Sequence, residues 1–240
     1  MERVTFEIHK DLLNAKAQEY FVKSAGLTDE SDKSKRMLKD ANEIKNEIEE
    51  SMRIKVAVSF FSDFEVHEDT LTIERVSFKC NPFSLLCQKN VRGVYLYVIT
   101  AGDYCFEDRG IVDQVYADLW RTSYLDAGRN VLKKILLKDY CGKTSDKGNI
   151  LKEAFEDATI TNSFGPGFYG MKPKDIMKIV QLVDSAGIDV ECNESGIMSP
   201  IHTCAGIYLL IEPGVLFLGE ECVTCLGSRM NCNICNVRGK

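Results

Sequence analysis

Residues 161–170 read Thr161-Asn-Ser-Phe-Gly-Pro-Gly-Phe-Tyr-Gly170, and they are the most informative segment of the chain. Three glycines surround Pro166, which predicts a tight loop, because glycine adopts positive φ and lets a ligand approach the backbone. Phe168 and Tyr169 add a flat apolar wall suited to a planar ring. A loop that merely joins two elements explains the same glycines, so this loop alone does not establish a binding site.

A helix and a strand are expected after the loop. Pro173 suits the first turn of a helix, the apolar stripe of that helix continues to Val183, and Gly187 is expected to end it. The residues that follow alternate between apolar and polar, which predicts a half-buried strand carrying Ile188, Val190 and Cys192.

The predicted strand leads to a second motif, Glu194-Ser195-x-x-Met198-x-Pro200. Glu194 and Ser195 are candidates to hydrogen-bond the polar groups of a ligand, although capping of a turn explains them nearly as well. His202 lies just beyond the motif and is a candidate to contact a ligand, but an ordinary surface or core histidine is the better interpretation.

Taken together, the two motifs resemble the activation domain of cobalamin-dependent methionine synthase and, more closely, the free-standing relatives of that domain. The family carries Arg-x-x-Pro-Gly-Tyr, a helix, and Glu-Ser-x-x-Met-x-Pro before a glycine. This chain has Pro166-Gly167-Phe168, then Glu194-Ser195-x-x-Met198-x-Pro200 and Gly206. Residues 94–102 also match a family strand that ends in Thr-x-Gly, so the resemblance covers most of the chain from about Arg53 onward.

The resemblance implies a fold, a ligand and a reaction. The expected ligand is S-adenosylmethionine, held in a glycine-rich groove, and the expected function is reductive reactivation of a cobalamin-dependent methyltransferase or corrinoid protein. In that reaction one electron reduces cob(II)alamin to cob(I)alamin, which then takes the methyl group of S-adenosylmethionine. The residues placed in the groove by the resemblance are Ser163, Gly165, Pro166, Gly167, Phe168, Tyr169, Glu194, Ser195 and Met198.

Two positions depart from the family pattern. The family arginine falls on Ser163, and the family tyrosine falls on Phe168, or on Tyr169 if one residue is inserted. A guanidinium is the natural bidentate partner of the S-adenosylmethionine carboxylate. The missing arginine therefore favours an alternative function, a non-catalytic adaptor that docks on a corrinoid protein and holds structural zinc. A small iron–sulfur electron-transfer protein is a further alternative.

Four of the ten cysteines are clustered near the C-terminus, at Cys222, Cys225, Cys232 and Cys235. Two C-x-x-C pairs can place four thiolates around one metal site, so the spacing predicts either zinc or an iron–sulfur cluster. The alternative is a flexible tail whose thiols are free or opportunistically oxidised, but the spacing favours a metal site. An iron–sulfur cluster here would be able to deliver the electron for reactivation, or to receive it from a separate electron donor.

Charge and hydropathy argue against two functional classes, nucleic-acid-binding proteins and membrane proteins. Formal net charge is −6 and no basic stripe is interleaved with aromatics, which argues against a nucleic-acid partner. No segment has the length and hydropathy of a membrane span, and the N-terminus lacks the pattern of a signal peptide, so we expect a cytoplasmic protein without a membrane partner.

The remaining patterns predict an α+β fold with a twisted, largely antiparallel sheet and flanking helices. We divide the chain into an N-terminal strand and helices at 1–52, an activation-like domain at 53–221 and a cysteine-rich tail at 222–240, or alternatively into one compact unit. The expected strands are 4–8, 54–61, 71–78 and 94–100, with a turn at 62–70 and a C-terminal hairpin at 207–218. The expected helices are 11–25, a charged helix at 37–52, 108–138 and 150–158, with a linker at 141–149.

Overall fold

The computed structural model describes residues 2–27, 31–103, 109–143, 158–213 and 215. At its centre lies a five-stranded antiparallel sheet, which confirms the predicted α+β class. The strands in chain order are β1 (Glu2–Ile8), β2 (Ile54–Phe61), β3 (Glu65–His67), β4 (Thr70–Ile73), β5 (Val76–Lys79), β6 (Val91–Thr100), β7 (Thr159–Ile160), β8 (Glu191–Cys192), β9 (Met198–Ser199) and β10 (Thr203–Ile211). The central sheet has the order β1-β2-β6-β10-β7.

Within the described residues four α-helices accompany the strands, namely α1 (Asn14–Ser24), α2 (Asp32–Ser51), α3 (Ile111–Lys143) and α4 (Ile176–Val183). No helix in the described ranges is both long enough and apolar enough to cross a membrane. Strands β6 and β10 are buried along almost their whole length. This burial explains their continuous apolar sequence, because both faces of the sheet are covered.

One face of the sheet carries α1, α2 and α3, and we call it the helix face. Its core includes Trp120, whose ring stacks on Phe21 with 3.9 Å between the ring centroids. The Trp120 indole N–H donates to the carbonyl oxygen of Ala41 at 2.8 Å. One side chain of α3 therefore anchors both N-terminal helices.

The charged helix α2 packs within the chain through a narrow apolar stripe. Ala41, Ile44 and Ile48 are buried against the core of the helix face, while most of its other side chains face solvent. Strand β1 adds to the edge of the sheet, with Ile8 opposite Ile54. The N-terminal segment thus shares one core with the sheet.

The opposite face carries α4 and the β3-β4-β5 sheet, and it forms a second core. The prediction of one strand from Leu71 to Phe78 is wrong, because Glu74 and Arg75 both adopt positive φ, at 48° and 70°. Two such residues make the tight reversal of a β-hairpin, so the segment is the β4-β5 pair. The predicted turn at 62–70 likewise contains β3, which pairs with β4.

The predicted end of α4 is also wrong. The helix ends at Asp184, which adopts the left-handed conformation with φ of 60°, three residues before Gly187. A 3₁₀ turn, Ser185–Ile188, follows it, so Ile188 belongs to that turn. The expected strand is confined to the short β8, because a second left-handed residue at Asp189 breaks the alternation.

Helix α3 runs to Lys143, further than predicted and into the expected linker. The rest of that linker, nearly all of the predicted helix at 150–158, the second half of the hairpin at 207–218 and the tail at 222–240 lie outside the described residues. The domain boundaries at 52/53 and 221/222 remain predictions.

Replacement of Gly128 tests how closely α3 lies on the sheet. A Cβ at this position would lie 2.8 Å from Cδ1 of Ile99 and 3.2 Å from Cγ2 of Ile54, and both isoleucines are buried. We expect Gly128→Leu to lower the free energy of unfolding by about 1–3 kcal/mol, because overpacking outweighs the better helix propensity of leucine. Urea unfolding would measure the change. Thr122→Leu, at an exposed site on the same helix, is the control, and equal midpoints for both variants would contradict the packing described here.

Candidate functional site

The glycine-rich loop begins beside β10, on the side away from β6, just after the segment that includes β7. Phe164 and Ile207 exchange two backbone hydrogen bonds, of 2.9 and 2.8 Å, and this bridge is the last pairing before the chain turns away. The Phe164 ring is buried on the second core, edge-on to Phe83 with 5.2 Å between the centroids. Gly165 then passes close to β10, since a Cβ there would lie 3.4 Å from the carbonyl oxygen of Ala205.

The loop from Gly165 to Gly170 is a compact reversal fixed to its surroundings. The N–H of Gly167 donates to Met171 O at 3.0 Å, and the N–H of Phe168 donates to Gly165 O at 3.1 Å. The carbonyl of Tyr169 accepts the N–H of Asn81 at 2.8 Å, which ties the loop to the 3₁₀ turn Asn81–Leu85.

The two aromatic residues of the loop differ in exposure. Phe168 is 42% exposed, whereas Tyr169 is partly buried and packs on the second core, with its ring 5.9 Å from that of Phe164. Tyr169 adopts φ of 53°, which turns the chain between two glycines of positive φ, Gly167 and Gly170. Of the predicted aromatic wall, Phe168 therefore presents the more open ring to solvent.

The second motif is a turn organised by Asn193, a residue that sequence reasoning did not select. The Asn193 side-chain oxygen accepts the N–H groups of Ser195 and Ile197, each at 3.0 Å. Glu194 and Ser195 are exposed at the tip of this turn, and the side chain of Met198 is partly buried on the second core. The Asn-x-x-Gly spacing up to Gly196 is the local signal that would have identified the cap.

The short 3₁₀ turn Pro173–Asp175 connects the two motifs. The first loop ends at Met171, just before this turn. From the other side, Gly196 packs against it, since a Cβ at Gly196 would lie 3.4 Å from the carbonyl oxygen of Pro173. The structure therefore places both motifs next to one connecting segment, and Tyr169 of the first motif and Met198 of the second both pack on the second core.

Ser163 points to the helix face, away from Phe168. Its hydroxyl lies 2.7 Å from the hydroxyl of Tyr97, and the two form a hydrogen bond. This bond requires a glycine at 206, because a Cβ there would lie 2.4 Å from the Ser163 Oγ. Burial raises the pKa of Tyr97 to about 12, although the nearby Arg129 opposes this change.

Cys204 and Tyr208 border the same hydroxyl pair. The Tyr208 ring stacks on that of Tyr97 at 4.7 Å, and burial raises the pKa of the Cys204 thiol to about 11. Tyr97, Arg129, Cys204 and Tyr208 were not predicted as site residues. They come from three separate elements, so no local motif connects them with Ser163.

His202 lies at the start of β10, beside Asp118 of α3, with its Nε2 atom 3.4 Å from a carboxylate oxygen. Its side chain is only 16% exposed. Burial, aided by the positive charge of Arg121, lowers the pKa of His202, while Asp118 and Asp103 partly oppose the shift. The neutral imidazole is therefore the favoured form in the folded chain.

The lowered pKa of His202 predicts a pH dependence of stability. The ordinary histidine pKa is about 6.5, so below that pH the unfolded chain binds more protons than the folded chain at this position. Neutral His202 therefore makes its full contribution to the free energy of unfolding above a pH of about 6.5, and this contribution is lost as the pH falls. We expect His202→Asn to reduce the fall in unfolding free energy between pH of about 6.5 and 5, measured by urea titration. His67→Asn, at an exposed histidine, is the control and should keep the full fall; an unchanged slope in His202→Asn would contradict the assignment.

The four clustered cysteines lie outside the described residues, so the metal site predicted at Cys222, Cys225, Cys232 and Cys235 remains a prediction. Within the described part of the chain, no group of three or more histidine, cysteine, aspartate or glutamate side chains is arranged to hold a metal ion.

Comparison with known proteins finds similarity among solved structures. No protein-family model matches the sequence, and no curated protein matches it either. Among solved structures, the crystal structure of the MetH reactivation domain bound to AdoHcy superposes with a TM-score of 0.67 over 90% of this chain and 81% of that chain. The chain has the fold of the MetH reactivation domain. Sequence identity is 15%, so the likeness confirms the predicted resemblance at the level of the fold.

Proposed function

We propose that this chain binds S-adenosylmethionine and its product AdoHcy, and that it serves the reductive reactivation of a cobalamin-dependent methyltransferase or corrinoid protein. The observation that supports the proposal most is the shared fold with a domain whose crystal structure contains AdoHcy. The glycine-rich loop and the Asn193 turn both border the 3₁₀ turn Pro173–Asp175, and in our proposal the ligand lies in a groove between them.

The backbone of β10 beside the loop suits a nucleoside. Alternate residues of an antiparallel strand direct their N–H and C=O groups to the same neighbour. Ile207 and Leu209 direct theirs toward the segment before the loop, so Ala205 is expected to do the same. Gly165 brings no side chain to this position, and an adenine ring has the donors and acceptors to pair with such backbone groups. The exposed ring of Phe168 would cover one face of the adenine.

The exposed turn would bind the rest of the ligand. The side chain of Asn193 already accepts the backbone N–H groups of the turn, so the side chains of Glu194 and Ser195 are not needed to cap it. The carboxylate of Glu194 is suited to ribose hydroxyls or to the positive sulfonium. In the reaction class that we propose, cob(I)alamin attacks the sulfonium methyl carbon and the carbon–sulfur bond breaks, releasing AdoHcy. The part of this chain is to hold the sulfonium in line with cobalt and to exclude water.

Calorimetric titration with AdoHcy tests the proposal. We expect saturable binding by the wild-type chain and an affinity about tenfold lower for Phe168→Ala, because loss of a stacked aromatic costs about 0.5–1.5 kcal/mol beyond its buried area. Ile111→Ala removes an exposed side chain at the start of α3 and should bind normally. No heat with AdoHcy in the millimolar range would contradict the proposed function.

A second candidate is the adaptor without ligand binding. The observation that favours it is Ser163, whose hydroxyl is engaged by Tyr97 where the resemblance expects an arginine. An adaptor would still dock on a corrinoid protein but would give no heat with AdoHcy. The same titration therefore distinguishes the two candidates.

Metal analysis tests the role that we propose for the four C-terminal cysteines. If they hold an iron–sulfur cluster that delivers the electron, protein purified without oxygen should be brown, contain iron and lose colour with reductant. Cys225→Ser should lose the iron and the colour, while Cys87→Ser, at an exposed cysteine far from the cluster in sequence, should keep both. A colourless protein with one zinc would exclude electron delivery by these cysteines and would favour the adaptor.

A further inference from the structure

A group of polar side chains lies between α3 and the start of β10, on the helix face. We call it the Arg129 cluster, and it consists of Tyr97, Arg129, Ser163, Cys204 and Tyr208. The hydrogen bond between Tyr97 and Ser163 and the stacking of Tyr97 on Tyr208 hold it together. Ser163 belongs to the segment that leads into the glycine-rich loop, so the cluster borders the groove proposed above.

Arg129 is held by hydrogen bonds, but one of its side-chain donors has no partner among the described residues. The hydroxyl of Tyr208 donates to the backbone carbonyl of Arg129 at 3.1 Å, and the Arg129 Nη1 donates to Asp126 at 2.9 Å. The Arg129 Nε atom is buried and has no hydrogen-bond partner among the described residues. A buried N–H without a partner costs free energy, so an unused donor on a charged group points to an acceptor that binds there.

The geometry of the guanidinium limits what that acceptor can be. The Nε–H belongs to the edge that Arg129 shares with Nη2, on the far side from the Nη1 that contacts Asp126. This edge is the one that arginine uses for two parallel hydrogen bonds to a carboxylate. The Arg129 side chain as a whole is 39% exposed while its Nε atom is buried, so the guanidinium lies at the boundary between the core and solvent.

A second cation lies one helical turn further along α3. Lys133 is four residues after Arg129, which places both side chains on the same face of the helix. Its Nζ atom lies 3.3 Å from the side-chain oxygen of Asn162, the residue next to Ser163. Lys133 therefore contacts this segment directly, while Arg129 lies near Tyr97, the hydrogen-bond partner of Ser163, with Asp126 as its acidic neighbour.

We infer that Arg129 binds the carboxylate at the amino-acid end of S-adenosylmethionine and AdoHcy, and that Lys133 adds positive charge to this subsite. The inference rests on the proposed function. It goes beyond that function because it assigns the charged end of the ligand to α3, which lies on the helix face of the sheet. The nucleoside end would then lie on Phe168, and the ligand would cross the edge of β10 along Gly165.

The experiment compares two ligands that differ at the amino-acid end. AdoHcy carries the carboxylate, whereas 5′-methylthioadenosine keeps the nucleoside and the sulfur but lacks it. We expect the wild-type chain to bind AdoHcy more tightly than methylthioadenosine in calorimetric titrations. Arg129→Gln should lose about tenfold to a hundredfold in AdoHcy affinity, since hydrogen bonds to charged groups contribute about 1.5–3 kcal/mol, and should bind methylthioadenosine as the wild type does.

Controls separate a direct contact from a structural effect. Lys134→Gln removes an exposed cation from the adjacent position of α3 and should leave both affinities unchanged. A thermal melt of Arg129→Gln checks that the variant is folded. Arg129→Lys should recover part of the AdoHcy affinity, because it restores the charge without the planar fork.

The outcomes distinguish this inference from the proposed function. If wild type binds neither ligand, the proposed function is wrong and the inference falls with it. If wild type binds AdoHcy and Arg129→Gln binds it equally well, the inference is overturned while the proposed function stands. An equal loss of both ligands in a folded Arg129→Gln variant would also overturn the inference, because the arginine would then shape the groove and not bind the carboxylate.

Discussion

The antiparallel pairing of β6 with β10 is the interaction on which the candidate site depends. Its register places Gly206 opposite Tyr97 and leaves no side chain between them. The Ser163 hydroxyl occupies that space and bonds to Tyr97. A shift by one residue would move every side chain of β10 to the other face, putting Ala205 or Ile207 against Tyr97. Such a shift would exchange the side chains that fill the two cores, and the close packing of both cores opposes it.

The segment beside β10 uses the same alternation to connect the two faces of the sheet. Ser163 points to the helix face and the next residue, Phe164, points into the second core. The burial of Phe164 fixes the backbone at the point where the loop starts, and the contact of Tyr169 with Asn81 fixes it where the loop ends. The glycines between these anchors carry no side chains, but backbone hydrogen bonds still hold the loop in place. A groove at this edge would be preformed, which lowers the entropic cost of binding a ligand.

Much of the fold follows from local patterns. The apolar run of β6, the stripe of α3 and the glycines of the 161–170 loop all predict the elements that the structure contains. Two of the errors came from residues other than glycine in left-handed conformations. Asp184 ended a helix that Gly187 was expected to end, and Glu74 with Arg75 formed a hairpin within an apparently continuous strand. Such conformations are less common outside glycine, and tertiary packing decides where they occur.

The polar part of the site was less predictable than the fold. The bond between Tyr97 and Ser163 spans 66 positions of sequence, and the one between Tyr208 and Arg129 spans 79. No periodicity or spacing connects residues so far apart, and a tyrosine in an apolar strand usually serves the core. The loop motif identified Ser163, but only the sheet register and the position of α3 revealed which residues surround it.

A serine at position 163 and an arginine at position 129 belong together, because arginines at both positions would be unfavourable. A guanidinium at 163 would extend into the space beside Tyr97 that the short serine side chain now fills, close to the one on Arg129. Two positive charges in a partly buried pocket repel each other, and desolvation increases the cost. An arginine on the helix therefore makes a second one at 163 unfavourable, and a serine at 163 leaves room for a helix-borne arginine to reach the edge of the groove. In our proposal α3 supplies the positive charge that the resemblance expects in the loop, and this charge would complement the anionic end group of the ligand.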